Sequence, residues 1–198
     1  MPDAKTIATY DAKARDYAKL VSTDAPDASL LDFINALPAG GTVLDLGCGP
    51  ATASAHMRAA GLAPDPVDAS PGMVALANET HDIGARLGVF DDIDGVAAYD
   101  GVWANFSLLH APRDDLPRHM AALARALKPG GLLHIGMKTG DGSKRDAMDR
   151  LYTFVAQDEL TKLVTDAGLS VTWTKTGKER GMAGTMDPYI LMRARKDG

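Results

Sequence analysis

The most informative part of this sequence is a glycine turn that follows a predicted buried strand. Residues 43–50 run from apolar positions into Gly47 and Gly49, and residues 52–60 have a helical pattern. A strand, a glycine turn and a helix start together present free backbone N–H groups and a positive helix end. The missing Cβ atoms also let a ligand approach the main chain. The pattern therefore predicts a binding site of nucleotide size.

Two carboxylates narrow the kind of ligand. Asp45 comes two residues before Gly47, and Asp68 ends the next predicted strand, 68 − 45 = 23 residues later. A carboxylate at the end of the first strand suits an ammonium group better than a pyrophosphate. Asp68 lies where doubly wound folds offer an acid to ribose hydroxyls. The pair favours a nucleoside joined to an amino acid over a dinucleotide.

Three motifs in this order resemble the class I S-adenosylmethionine-dependent methyltransferases. They are residues 43–50, then Val-Asp-Ala-Ser-Pro-Gly-Met at 67–73, then Leu-Lys-Pro-Gly-Gly at 127–131, and the likeness extends from about Leu30 to the C-terminus. The resemblance implies an α/β, Rossmann-like, doubly wound fold in three αβα layers. Its seven-stranded, mainly parallel sheet has the last strand antiparallel. One departure is Ala51, where many members have a third glycine.

The resemblance also implies S-adenosylmethionine as the cofactor. Asp45 would receive its ammonium group and Asp68 its ribose hydroxyls, while Ala69 and Met73 would flank the adenine. We read Cys48 as a small buried residue of the turn and not as a catalytic thiol. The residues expected to bind the cofactor are Tyr17, Asp45, Gly47, Cys48, Gly49, Asp68, Ala69, Met73, Asp91, Asp92 and Asn105.

Asp91 and Asp92 follow the predicted third strand and admit two interpretations. By the resemblance, an acid at this place reaches the adenine amino group. Alternatively, the acidic run at 91–95 caps a short helix and is otherwise exposed to solvent.

The predicted fourth strand ends at Asn105, with His110 five residues later. In the resembled family the sheet meets the sulfonium and the methyl acceptor here, so Asn105 is a predicted site residue. His110 is the candidate general base or acceptor-positioning group, because an imidazole titrates near neutral pH. The alternative for His110 is a helix-start histidine bonded to the backbone.

The other histidines have no metal-ligand spacing, so no metal is expected. His56, His81 and His119 fall within helical patterns and are predicted at the surface. His134, in the middle of an apolar run, is predicted to be a strand histidine with satisfied hydrogen bonds.

Two segments are predicted to close the acceptor pocket. Tyr10 and Tyr17 are seven residues apart on one face of the N-terminal helix, which is similar to a lid helix of related small methyltransferases. Residues 139–154 are predicted as a substrate loop, mobile at 140–145 and ordered at 150–154. The predicted substrate contacts are Tyr10, Arg150 and Tyr152, with Lys138 and Arg145 as further cations for a carboxylate or phosphate. The alternatives are tyrosines packed on the surface and solvated loop charges.

Hydrophobic periodicity predicts alternating strands and helices after residue 39. The predicted strands are 42–46, 66–68, 86–90, 101–105, 131–138, 170–175 and 189–194. The predicted helices are 6–21, 28–37, 52–60, 71–80, 113–127 and 157–167.

Composition places further limits. The chain has 198 residues, a net charge of −5, 45% hydrophobic residues and one cysteine. This length predicts a single domain over residues 1–198, with a helical lid at 1–38 and a cofactor-binding core at 39–198. The acidic balance argues against a nucleic-acid partner, and no apolar run approaches the roughly 20 residues of a membrane span. We expect a cytoplasmic monomer or homodimer with neither a nucleic-acid nor a membrane partner.

The function expected from the resemblance is methyl transfer to a small-molecule acceptor. A regulator that binds S-adenosylmethionine or S-adenosylhomocysteine without turnover is the main alternative. A nicotinamide-dependent reductase is disfavoured, because the third glycine of its fingerprint is replaced by Thr52 and no Tyr-x-x-x-Lys pair is present.

Overall fold

Strands and helices alternate over residues 42–87, as the periodicity predicts, and helices again separate some of the later strands. The computed structural model describes residues 3–198, in which no helix is long and apolar enough to cross a membrane. The helices are α1 (Ala4–Ala12), α2 (Ala14–Val21), α3 (Ala28–Asn35), α4 (Thr52–Ala59), α5 (Pro71–His81), α6 (Leu116–Ala126) and α7 (Gln157–Asp166). The strands are β1 (Thr42–Leu46), β2 (Ala63–Asp68), β3 (Arg86–Leu87), β4 (Tyr99–Asn105), β5 (Leu127–Lys138), β6 (Ser143–Arg145), β7 (Leu151–Thr153), β8 (Leu169–Arg180) and β9 (Met186–Lys196).

Seven of these strands form one sheet in the order β3-β2-β1-β4-β5-β9-β8. The first five in this order pair in parallel, and β9 runs antiparallel to both of its neighbours. The predicted Rossmann-like α/β sheet with an antiparallel last strand is therefore confirmed.

Helices cover both faces of this sheet because its strands alternate their apolar side chains. Leu44 and Leu46 of β1 belong to the core cluster that includes α6 and α7. Val43 points the other way, into the cluster that contains Phe33 of α3 and Met57 of α4. The result is three layers, as expected.

The predicted helix at 6–21 is wrong in one respect, since it is broken at Lys13, where φ is −118°. Asp3 caps α1 by accepting a hydrogen bond of 2.8 Å from the Thr6 backbone N–H. The apolar spacing continues across Lys13, so periodicity alone does not reveal the break. Asp11, at the end of α1, accepts a hydrogen bond of 2.5 Å from the Gly72 N–H.

Other predicted boundaries move as well. β3 is shorter than 86–90, because the chain turns into a 3-10 helix at Phe90–Asp92. The predicted helix at 113–127 begins with a 3-10 turn at Arg113–Asp115, and α6 starts only at Leu116 with a proline in its first turn. β8 and β9 extend toward each other well beyond the predicted 170–175 and 189–194.

The segment predicted as a mobile loop forms a small β-hairpin of β6 and β7. Arg150, whose side chain is 2% exposed, holds the hairpin turn through two bonds to Asp146 Oδ2, from Nε at 3.0 Å and Nη2 at 2.6 Å. Asp146 also accepts bonds from the backbone N–H groups of Met148 and Arg150. A buried, paired guanidinium therefore organises this segment.

We predict that Asp146→Ala lowers the free energy of unfolding by about 3 kcal/mol, because it leaves a buried guanidinium without its counter-charge. Urea denaturation measures the change. Asp166→Ala is the matched control, since the Lys162–Asp166 pair is 75% and 61% exposed and should contribute less than about 1 kcal/mol. Equal losses in the two variants would contradict the structural role of the buried pair.

Candidate active site

The predicted glycine turn follows β1 and packs against the end of β4. Gly47 has φ +72°, and a Cβ placed there would lie 2.4 Å from Ser107 Cβ. The N–H groups of Gly47 and Cys48 both donate to the Val67 carbonyl, at 2.8 and 3.0 Å. Ala51, at the position of the third glycine, also adopts a left-handed conformation with φ +59°. The turn thus keeps its shape with an alanine there.

Asp68 ties this turn to the start of α5. Its Oδ2 accepts from the Gly49 N–H at 2.8 Å, and its Oδ1 accepts from the Ser70 N–H at 2.8 Å. Burial raises the pKa of this carboxyl despite these bonds. Asp68 therefore organises two backbone segments and still lines a cavity.

Asp45 is a buried carboxylate without a counter-charge in the described part of the chain. It is 2% exposed, and Ser54 Oγ donates to its Oδ2 at 2.7 Å. Burial raises its pKa to about 7. An unpaired ionised carboxylate is costly to bury, so this position favours a ligand that brings a cation.

Two cavities meet above the carboxyl ends of the strands. The Asp68 cavity contains Asp68, Ala69, Met73, Asp91 and Ser107 among its walls. The Arg150 cavity contains Asp45, Cys48, Lys138, Arg150 and Tyr152. The residues that line both are Tyr10, Tyr17, Gly47, Gly49, Asn105, Phe106 and His110. A ligand that passes from one cavity to the other must pass these side chains.

A chain of hydrogen bonds crosses this junction. His110 Nδ1 lies 2.6 Å from the Leu151 carbonyl, which only accepts, so Nδ1 carries the proton. Burial lowers the His110 pKa to about 4, which keeps the ring neutral at pH 7. Nε2 is then an acceptor for the Tyr10 hydroxyl at 2.9 Å, and Arg150 Nη1 donates to that same hydroxyl at 2.8 Å. The tautomer and the direction of every bond are fixed.

Other side chains of the Arg150 cavity are also engaged. Lys138 Nζ pairs with Asp187 at 2.5 Å and lies 4.0 Å above the Tyr152 ring. The Tyr10 and Tyr17 rings touch edge to face at 5.4 Å although they belong to different helices. The structure therefore brings Tyr10, Tyr17, Arg150 and Tyr152 together, as the sequence predicts.

Other predicted residues lie differently. Asp92 accepts from the Val89 N–H at 2.9 Å, which is the capping interpretation, and it does not line either of the two cavities. Asp91 lines the Asp68 cavity but pairs with Arg118. Arg145 pairs with Asp3 at 2.6 Å and lines neither cavity.

The surface prediction for His119 is wrong, because α6 turns the ring inward against Phe90 at 5.5 Å, and the residue is 3% exposed. The prediction for His134 is only half right. Its Nε2 has a partner, but its buried Nδ1 has none in residues 3–198.

Sequence reasoning missed two parts of the site. Ser107 is 6% exposed, and its Oγ is a buried hydroxyl that has no partner in the described chain although the residue lines the Asp68 cavity. Its proximity to Asn105 in sequence was an available signal. The end of β8 brings Glu179 to the Arg150 cavity, and the turn after β8 brings Met182 there. Nothing in the periodicity indicated that β8 and β9 extend so far.

Comparisons with known proteins agree with this geometry. Residues 43–131 match the family model of the methyltransferase domain. A dimethylglycine N-methyltransferase of Parasynechococcus marenigrum strain WH8102 is 34% identical over 128 residues, which are 59% of this chain and 44% of that protein. The chain thus spans less than half the length of this relative.

Solved structures extend the likeness of the fold. A 1,6-didemethyltoxoflavin-N1-methyltransferase of Burkholderia thailandensis, crystallised with that compound and S-adenosylhomocysteine, has a TM-score of 0.75 and 24% identity over 98% of this chain and 88% of its own. An S-adenosylmethionine-dependent methyltransferase of Methanosarcina mazei has a TM-score of 0.76 and 15% identity over 87% of this chain and 99% of its own.

The residues present fit S-adenosylmethionine. Within residues 3–198, Asp45 lacks a cation and Ser107 Oγ lacks a partner, and the turn at Gly47 leaves no room for a Cβ. The match of the family model, the strand order and this donor set agree. The chain is thus similar to S-adenosylmethionine-dependent methyltransferases, both in the methyltransferase-domain match over residues 43–131 and in its fold.

Proposed function

We propose that this protein transfers a methyl group from S-adenosylmethionine to a small-molecule acceptor. The observation that supports this most is Asp45, a buried carboxylate without a counter-charge beside the glycine turn. It lines the Arg150 cavity, whereas Asp68 lines the adjoining one. A ligand with an ammonium group at one end and ribose hydroxyls at the other satisfies both acids.

The cofactor contacts follow from this placement. Asp45 binds the ammonium group, Gly47, Cys48 and Gly49 form the wall beside the methionine portion, and Asp68 binds the ribose. Contacts to the nucleoside come from Ala69, Met73, Asp91 and Ser107, while Tyr17 and Asn105 lie at the junction. When bound, S-adenosylmethionine supplies a methyl group on a positively charged sulfur, which needs alignment and exclusion of water rather than a protein nucleophile.

The acceptor occupies the Arg150 cavity and meets Tyr10 at the junction. The Tyr10 hydroxyl donates its hydrogen bond to His110 Nε2, and one lone pair of its oxygen accepts a bond from Arg150 Nη1. An acceptor molecule with an O–H or N–H group donates to the remaining lone pair, in competition with the neighbouring Tyr152 hydroxyl. The proton that the acceptor loses on methylation would pass to Tyr10 Oη while the Tyr10 proton passes to His110 Nε2, and S-adenosylhomocysteine would be left in the cofactor site.

The N-terminal helix and the β6–β7 hairpin act as one lid over the site. The Leu151 N–H donates to Thr6 Oγ1 at 2.8 Å, and Thr9 Oγ1 donates to the Met148 carbonyl at 3.0 Å. These contacts involve α1 alone, whereas α3, which the predicted lid at 1–38 also contains, packs on the sheet through Phe33, and Met1 and Pro2 lie outside the described residues. Such a lid excludes water during transfer.

The expectations of a cytoplasmic location, of a monomer or homodimer, and of no nucleic-acid or membrane partner rest on composition and stay predictions. A regulator that binds the cofactor without turnover remains the alternative to an enzyme, and a product assay separates the two.

We predict that the purified protein forms S-adenosylhomocysteine from S-adenosylmethionine only in the presence of an acceptor with an O–H or N–H group. Mass spectrometry of product mixtures from a pooled library of small phenols, alcohols and amines detects both products. Binding of S-adenosylhomocysteine by calorimetry, without turnover of any pool, would favour the regulator. Absence of binding would contradict the proposed cofactor.

We predict that affinity for S-adenosylhomocysteine falls about tenfold from pH 8 to pH 6. The Asp45 pKa of about 7 means that the empty site gains a proton below this pH, and a neutral carboxyl attracts an ammonium group poorly. Because the pKa of Asp45 is higher in the folded protein than in the unfolded chain, Asp45 lowers the free energy of unfolding as the pH rises toward 7. Calorimetry across this range measures the affinity. Asp45→Asn is the control. It should bind S-adenosylhomocysteine weakly, with an affinity that does not change between pH 8 and pH 6.

We predict that Tyr10→Phe lowers kcat about a hundredfold, the size expected when a proton-transfer path is removed, and changes affinity for S-adenosylhomocysteine less than about threefold. Phenylalanine keeps the ring contacts with Tyr17 and His110. Tyr99→Phe is the matched control, since it removes a hydroxyl that lies outside the site and donates to Asp65 at 2.5 Å. Equal kcat in the two variants would remove Tyr10 from the proton path.

A further inference from the structure

His134 is a buried titratable group that the proposed mechanism does not use. The residue lies in β5 with no exposed surface, and its ring stacks on Trp103 with centroids 3.8 Å apart and 14° between planes. Burial lowers the His134 pKa to about 3, so the ring is neutral and has one N–H group at pH 7. The position of that proton is set by its neighbours.

The neighbour of His134 is Asn105, at the end of β4. His134 Nε2 lies 3.2 Å from Asn105 Oδ1, an oxygen that only accepts, so Nε2 carries the proton. The buried Nδ1 is then a lone pair without a partner in residues 3–198. The reverse arrangement, with the amide turned and the proton on Nδ1, would bury an unpaired N–H group, which is rarer in proteins than an unpaired acceptor.

The backbone around Asn105 provides room for this bond. Gly136 is its register partner on β5, and a Cβ there would lie 2.5 Å from Asn105 Oδ1. The next residue, Phe106, has φ +57° and donates its N–H to the Gly136 carbonyl at 3.0 Å. The chain therefore leaves the strand directly after Asn105, while the amide oxygen stays over the sheet.

The other half of the amide is free for a ligand. Asn105 lines both the Asp68 cavity and the Arg150 cavity, and no residue in the described range accepts a hydrogen bond from its Nδ2. Stacking on Trp103 fixes the His134 ring, and this ring holds Oδ1 of Asn105. The N–H₂ group of Asn105 is therefore directed toward the junction of the two cavities.

We propose that His134 is a positioning residue that holds the Asn105 amide so that its N–H₂ group donates to S-adenosylmethionine or S-adenosylhomocysteine at the junction of the two cavities. The proposal rests on the proposed function, since it requires this cofactor in the site. It assigns a role to a histidine that has no contact with either cavity.

Calorimetry with S-adenosylhomocysteine tests the proposal without an acceptor. His134→Phe keeps a flat ring against Trp103 but has no donor, and it should weaken binding about fivefold to tenfold, the range for one lost hydrogen bond. His134→Gln places an N–H₂ group near the position of Nε2 and should bind within about twofold of the natural protein. A thermal unfolding midpoint that is equal or higher in His134→Phe separates positioning from a structural role.

A double-mutant cycle shows whether His134 acts through Asn105. Asn105→Ala should weaken binding about fivefold to tenfold, and adding His134→Phe to it should weaken binding no further. Unchanged affinity in either single variant, or additive losses in the double variant, would overturn the proposal, and unchanged affinity in Asn105→Ala overturns it even if His134→Phe does not fold. If the natural protein itself does not bind S-adenosylhomocysteine, the proposed function fails first.

Discussion

Parallel pairing of β1 with β2 on one side and with β4 on the other is the constraint on which the site depends. Asp45 is in register with Pro66 of β2 and Trp103 of β4. All three strands therefore end at one edge, and the side chains just beyond them are neighbours although they are far apart in sequence. Asp45, Asp68 and Asn105 are brought together by backbone hydrogen bonds alone, before any of them contacts a ligand.

Polar groups at this edge differ in how far the protein itself satisfies them. Arg150, Lys138 and Tyr10 already have partners of the protein's own. In the Arg150 cavity, Arg150 and Lys138 are thus already paired, and an anionic ligand would have to compete with Asp146 and Asp187 for these two cations. The acids and hydroxyls near the proposed cofactor have fewer hydrogen-bond partners within the protein. Unsatisfied hydrogen-bonding groups are therefore concentrated where the cofactor is proposed to lie.

The order of elements could be predicted from sequence because it depends on local patterns. The first strand was predicted with its bounds at Thr42–Leu46, since continuous apolar residues ending in glycine have few other solutions. The break at Lys13 and the burial of His119 could not be predicted, because both depend on which neighbour a helix packs against. Asp45 and Asp68 lie at the ends of β1 and β2, where the sequence pattern predicts them, whereas Met182 reaches the Arg150 cavity only through the length of an antiparallel hairpin.

The left-handed alanine at position 51 bears on how such turns are recognised. That backbone conformation costs an alanine about 1 kcal/mol relative to glycine. However, the Ala51 methyl is fully buried beside Ala77 and Ile83, a contact worth about 0.8 kcal/mol, and glycine would also gain freedom in the unfolded chain. The two residues are close to equivalent here. A sequence search that requires three glycines would miss turns of the same shape in which packing offsets the cost of a left-handed alanine at the third position.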